Sequence, residues 1–198
     1  MLILASASPR RQELLRNAGI SFAVCPADID ETPRAKESSR DCAERLARGK
    51  ALAVFESRPR NFVLGADTIV AVDDTIFGKP RDEEDAVRML RLLSGRTHSV
   101  VTGVCVVGPP AEELESRRGA LNPVVRIASE TTLVTMCELS DKEVYAYVAS
   151  GEPMDKAGAY GIQGIASRWI PRIEGDYSNV VGLPVALVYT MLRERGVV

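Results

Sequence analysis

The stretch that decides the fold class is residues 1–19, MLILASASPRRQELLRNAG. Residues 2–5 form a short apolar run that reads as a buried strand. Ser8 and Pro9 then supply an N-cap and a proline at the first helical position, where a missing N–H costs nothing. Leu14, Leu15 and Ala18 make the buried stripe of the helix, and Gly19 stands where its C-cap is expected. Strand, serine-rich turn and helix follow one another directly, the opening unit of an α/β protein.

The alternation continues outward from that unit. Residues 22–25 read as a second short strand, residues 28–39 as a polar surface loop, and residues 39–57 as a longer helix with Cys42, Leu46 and Val54 among its apolar positions. Residues 62–66 read as a buried strand that ends at Asp67, and residues 68–72 and 75–77 as strands flanking an Asp73-Asp74 turn. Asp82 caps a helix in which Ala86, Met89, Leu90 and Leu93 share one face, and Gly95 ends it. Residues 100–107 and 124–137 are rich in β-formers, and the polar stretch between them reads as an exposed hairpin excursion or mobile loop. Ser140 and Glu143 form a capping box for a helix that turns Val144, Tyr147 and Val148 inward and ends at Gly151. A glycine-rich stretch, a strand over residues 167–173, a turn at Glu174-Gly175-Asp176 and a helix over residues 184–195 complete the chain. With no repeat and no linker, residues 1–198 are expected to form one domain, with two lobes around a cleft.

Composition removes several classes of function. With 25 Lys+Arg against 27 Asp+Glu the net charge is −2, which argues against a dedicated nucleic-acid binder. The single histidine, His98, excludes a His-rich zinc site, and its place between a helix end and a strand favours a structural role. Cys25, Cys42, Cys105 and Cys137 contain no CxxC pair and read as reduced thiols packed as small hydrophobes. The best membrane-helix candidate, residues 180–192, is short and interrupted by Gly182 and Pro184, so no membrane partner and a cytoplasmic location are expected.

Four groups of residues can carry chemistry. The Ser6–Arg11 turn sets two hydroxyls and two guanidiniums at a helix N-terminus, which is either an anion pocket suited to phosphate or an ordinary capped helix with solvated arginines. Asp67 faces desolvation at the end of a buried strand, where a carboxylate serves as metal ligand, as general base or as the cap of a local turn at Thr68. Lys50, Lys79 and Glu31 are weak signals taken singly. In KAGAYGIQG, residues 156–164, three glycines let a flat ligand approach the backbone, and the Gln163 amide suits a nucleobase edge. Cations with a helix N-terminus favour a polyanion and carboxylates favour a divalent cation, the pairing that pyrophosphate chemistry requires.

LASASPRRQELL, GADTIV, GKP, LSGRTHSV, SGEPMDKAGAYGIQG and NVVGLP, in this order, resemble the Maf family of nucleoside triphosphate pyrophosphatases. The resemblance runs over residues 3–192, with no family motif in residues 108–124. It implies an α/β fold with a mixed central sheet flanked by helices and two lobes around a cleft, the Maf/Ham1 architecture of inosine triphosphate pyrophosphatases. It also implies hydrolysis of a nucleoside triphosphate substrate between the α- and β-phosphates with Mg2+ or Mn2+, and a homodimer.

Carried over by motif, Asp67 is the catalytic carboxylate, Glu31 and Asp67 are the metal positions, and Ser8, Arg10, Arg11, Lys50 and Lys79 bind phosphate. Arg11, Thr68 and Gln163 match the positions that influence substrate choice, and SPRR, GADT and GIQG resemble the relatives that act on dTTP and UTP rather than on 7-methyl-GTP. Gln163 can pair with N3–H and a carbonyl of uracil or thymine, but a flipped amide suits cytosine equally. The alternatives are a 7-methyl-GTP enzyme of the same family and a non-catalytic nucleotide-binding regulator of cell division.

Overall fold

The computed structural model describes residues 1–73, 75–110 and 122–198. Its centre is a mixed sheet in which β1 (Leu2–Leu4), β2 (Ala23–Val24), β3 (Phe62–Val72), β5 (Thr97–Gly108), β6 (Val124–Thr135) and β7 (Arg172–Glu174) run in the order β2-β1-β3-β5-β6-β7. The short strand β4 (Thr75–Phe77) also pairs with β3. The pairs of β1 with β2 and β3 are parallel, and all the others are antiparallel.

Helices cover both faces. Helix α2 (Ser39–Ser57) lies on one, where Ala47, Ala51, Val54 and Phe55 pack with Val63, Cys105 and Val107. On the other, Leu15 of α1 (Pro9–Asn17) and Val188 and Leu192 of α6 (Val185–Glu194) pack with Leu2, Leu4, Leu64 and Val106. The far halves of β3 and β5 belong to a second core: Val70, Val72 and Val100 pack with Leu90 and Leu93 of α3 (Glu83–Leu93) and Tyr147 of α4 (Asp141–Val148). Two lobes thus share two long strands. Among the described residues no helix is long and apolar enough to cross a membrane.

The local signals at element ends appear as hydrogen bonds. Ser8 Oγ accepts from the Arg11 N–H, Asp82 caps α3, and Ser140 and Glu143 form both halves of a capping box. Gly19 takes φ +70°, the left-handed value that a glycine beyond a helix end supplies without strain.

Several expectations need correction. The strand at residues 62–66 does not end at Asp67; β3 continues to Val72, because β5 pairs with it from Val63 to Ala71. Ala18 is exposed, so the buried stripe of α1 rests on Leu15 with Leu14 beside it. Residues 167–173 are not a strand: a 3₁₀ turn spans Ile165–Trp169 and only Arg172–Glu174 joins the sheet. The buried residues of that turn, Ala166 and Trp169, stand three apart, a helical spacing that a five-residue segment is too short to show as a period. The short helix α5 (Tyr177–Val181) had no sequence signal strong enough to predict it.

The expected turn at residues 73–74 closes β3 onto β4 at Val72↔Thr75, although Asp74 itself lies outside the described residues. The expected excursion between residues 108 and 124 spans an antiparallel pair closed at Gly108↔Val124, and its residues 111–121 lie outside the described residues.

Two glycines set how closely α2 approaches the sheet. A Cβ at Gly65 would collide with the carbonyl oxygen of Ala47, and one at Gly103 with the backbone of Ala43. Backbone cannot swing away as a side chain can. Gly65→Ala is therefore expected to cost stability at or above the upper end of the ~1–3 kcal/mol typical of overpacking. Urea denaturation measures it, and an unchanged midpoint would contradict this helix–sheet packing.

Candidate active site

The open edge of β3 creates the site. One edge is paired with β5 along nearly its whole length. The opposite edge is covered by β1 only at Phe62–Leu64 and by β4 only at Val70–Val72. The gap between them holds residues 65–69, GADTI, just beyond the carboxyl end of the parallel pair, where ligand crevices of α/β sheets form. A cleft of about 850 Å³ opens there between the lobes. All the sequence-derived candidates line it: Ser8, Arg10, Arg11, Glu31, Lys50, Asp67, Thr68, Lys79 and Gln163.

Asp67 and Thr68 are neighbours on a strand, so their side chains leave on opposite faces. Asp67 turns to the α2 face, where Lys50 Nζ donates to its Oδ1 at 2.6 Å. The same ammonium lies 2.6 Å from Glu31 Oε1, which the loop after β2 brings in. Lys50 and Asp67 are buried, while the Glu31 side chain is half exposed. Burial pushes the Glu31 carboxyl up, but the Lys50 hydrogen bond and charge, with Lys79 and Arg11 behind them, outweigh it and hold it below the ordinary glutamate value. Lys50, expected against phosphate, thus spends its ammonium on two carboxylates.

Thr68 turns to the α1 face and meets Arg11. The guanidinium donates from Nη2 to Thr68 Oγ1 at 3.1 Å, from Nη1 to Ser6 Oγ at 3.2 Å and from Nε to the Gly182 carbonyl at 2.8 Å. Thr68 Oγ1 is also 3.0 Å from Thr102 Oγ1. Burial lowers the Arg11 pKa while Asp67 and Glu31 pull it back up, and a guanidinium keeps its proton regardless. Arg11 is held at three points and aimed by the fold. Arg10 reaches across the cleft mouth instead, donating to Asp155 Oδ2 at 2.9 Å, and Lys156 Nζ donates to Asp155 Oδ1 at 2.6 Å. Lys79 and Gln163 are exposed on the cleft.

Sequence reasoning did not single out Asp155, and it held Ser6 and Lys156 only as members of the Ser6–Arg11 turn and the 156–164 stretch, with no partner named for either. The Arg10–Asp155 bridge joins residues 145 apart and leaves no local trace. His98 sits behind the cleft: its Nε2 is 2.7 Å from the Tyr160 hydroxyl, and burial pushes its pKa down to about 4.

Carboxylates at this cleft suit a hard divalent cation such as Mg2+, which needs only one or two of them when phosphate oxygens and waters complete its shell. Glu31 and Asp67 converge on one ammonium, so a cation near both is stereochemically reasonable. Among the described residues no group of three or more His, Cys, Asp or Glu could hold a metal ion. The donor set therefore fits an ion shared with a polyphosphate and not one caged by protein alone.

A family model described as "Maf-like protein" matches residues 1–195. The chain belongs to the Maf family. A protein of Koribacter versatilis (strain Ellin345) named dTTP/UTP pyrophosphatase is 56% identical over 196 residues, covering 99% of this chain and 95% of that one. One of Geobacter sp. (strain M21) with the same name is 50% identical over 195 residues, covering 98% and 95%. Among solved structures, the Ham1 protein of Staphylococcus aureus matches with a TM-score of 0.49 at 13% identity over 98% of each chain. In this Maf protein SASPRR closes β1 onto α1, GADT fills the gap in the β3 edge, GKP leaves β4 and GIQG faces them across the cleft.

Proposed function

We propose that this Maf protein is a nucleoside triphosphate pyrophosphatase that acts on dTTP and UTP with a divalent cation. The observation that carries the reading is one cleft holding the Glu31–Lys50–Asp67 cluster, the Arg11–Thr68 pair and the Gln163 amide together. The names of the relatives support the substrate choice.

The residues divide the work by chemistry. The α1 N-terminus with Ser8, Arg10 and Arg11 binds the triphosphate oxygens, and Lys79 adds charge from the opposite rim. Glu31 and Asp67 would hold the cation, which supplies positive charge against the phosphates when bound. Lys50 fixes Oδ1 of Asp67, so Oδ2, with no protein partner among the described residues, takes a proton from the attacking water. The water oxygen bonds to the α-phosphorus, the bond from that phosphorus to the bridging oxygen breaks, and pyrophosphate leaves with its electron pair. Gln163 meets the pyrimidine edge, while Arg11 and Thr68 shape the pocket beside it.

Pyrophosphate release from dTTP, UTP, CTP, GTP and 7-methyl-GTP, with Mg2+ or Mn2+ and again after chelation by EDTA, tests the proposal. Turnover of dTTP and UTP that EDTA abolishes is expected. Turnover confined to 7-methyl-GTP would overturn the substrate assignment, and tight nucleotide binding without turnover would replace the enzyme with a sensor.

A further inference from the structure

Gln163 lies between a 3₁₀ turn (Ala157–Ala159) and the 3₁₀ turn Ile165–Trp169, with no sheet or long helix to fix it. Two side chains from outside the stretch pin the backbone on both sides of it. The N–H of Gly161 donates to the Tyr147 hydroxyl oxygen at 3.2 Å. The N–H of Ile165 donates to both carboxylate oxygens of Glu152, each at 3.1 Å. Tyr147 in turn donates to Glu152 Oε1 at 2.9 Å, so the two anchors form one unit.

That unit is itself rigid. Tyr147 is 1% exposed, and its ring packs edge-on against Trp169 at a centroid distance of 5.3 Å. Burial raises the phenol pKa, so the hydroxyl remains a donor to Glu152. The Glu152 carboxylate lies so close beneath Gly164 that any Cβ there would strike it. The Glu152 carbonyl accepts from Lys156 Nζ at 2.6 Å, which ties the unit to Asp155 and through it to Arg10.

We infer that Tyr147 and Glu152 are positioning residues for base recognition: they lock the turn at residues 161–165 and thereby fix where the Gln163 side chain and the backbone N–H and C=O groups beside it meet the base. The inference rests on the proposed role of Gln163 at the pyrimidine. Uracil and cytosine present opposite donor–acceptor orders, and a glutamine amide free to reorient serves both. Discrimination then needs groups beside the amide whose donor or acceptor sense cannot flip, which the backbone of the turn supplies, and that backbone is held by a buried tyrosine hydroxyl and a carboxylate.

Steady-state kinetics with UTP and CTP on wild type, Tyr147→Phe and Gln163→Ala test this. Tyr147→Phe keeps the buried ring and removes only the hydroxyl. Its kcat/KM for UTP is expected to fall about tenfold, mainly through KM, the scale of one lost hydrogen bond. CTP should change much less, so the UTP-to-CTP ratio narrows while kcat at saturating UTP stays near wild type. Amide hydrogen exchange at Gly161 should quicken in the same variant.

Gln163→Ala separates the two levels of the argument. If it leaves the ratio unchanged, the role of Gln163 fails, and the inference with it. If it collapses the ratio while Tyr147→Phe retains the wild-type ratio, the positioning inference alone is overturned. Should Tyr147→Phe not fold, Glu152→Gln takes its place, because its amide supplies one acceptor where two oxygens now receive Ile165; the same narrowing is expected, and an unchanged ratio overturns the inference.

Discussion

Asp67→Asn is expected to lower kcat for dTTP and UTP about 10²–10⁴-fold, the range a general base contributes, with the protein still folded. Asparagine has nearly the same shape, and its Oδ1 can still accept from Lys50. What it cannot do is take a proton from water or offer a full negative charge to a cation. The fold has little reason to fail, because Lys50 keeps Glu31 as a partner at 2.6 Å and so is not stranded as a lone buried charge. Nucleotide affinity measured without the divalent cation should hold or rise, since a negative charge has left the neighbourhood of a polyanion. Pyrophosphate release gives kcat, thermal unfolding followed by circular dichroism shows the fold, and equilibrium dialysis gives affinity. Near wild-type turnover would remove Asp67 as the base.

How much of this was readable beforehand follows from the range of the interactions. The start of α1 depends on Ser8, Pro9 and the Arg11 N–H, all within one turn, and it was read from the sequence with its cap in place. The capping box of α4 is equally local. The continuation of β3 past Asp67 is not: Asp67 and Thr68 look like the end of an apolar run until Gly103 and Thr102 of β5 pair with them. A carboxylate that appeared to terminate a strand instead sits inside one, and it borders the cleft only because β1 stops short and β4 begins late.

The site shows the same division. Lys50, Lys79 and Glu31 are weak by themselves, and the six-motif resemblance is needed to gather them with Asp67 and the Ser6–Arg11 turn. The contact that joins Lys50 to Asp67 requires α2 to lie close on the sheet, which Gly65 and Gly103 permit by lacking a Cβ. Those glycines carry no chemistry of their own, and nothing in their immediate sequence marks them as contact points. The Arg10–Asp155–Lys156 chain escaped for a related reason: exposed acids and bases are common, and only the folded cleft brings these three into line. Turn and cap chemistry is written within a few residues, whereas charge pairing across a cleft is written only in three dimensions.

Lys50→Met carries the other large effect, because one ammonium holds two carboxylates. Methionine preserves most of the aliphatic stem and deletes the charge, leaving Asp67 buried beside Glu31 with no cation of the described residues at hydrogen-bond distance. Removing one member of a buried pair costs about 3–5 kcal/mol. The Glu31 side chain is 49% exposed and can turn to water, so a loss of about 2–3 kcal/mol is expected here. The sign of the pH dependence follows from Glu31. Its carboxyl is held below the ordinary value, so its ion pair stabilises the fold above the ordinary glutamate range and is lost as pH falls through the depressed value. Lys50→Met lacks that contribution at every pH, and the stability gap between the two proteins should narrow between about pH 7 and about pH 3. Turnover should fall about 10²-fold or more, because Asp67 loses the contact that aims its free oxygen. Urea titrations at both pH values, beside kcat at neutral pH, measure all three effects. Equal stability at neutral pH would show that the ammonium contributes nothing net, and unchanged kcat would show that Asp67 needs no such clamp.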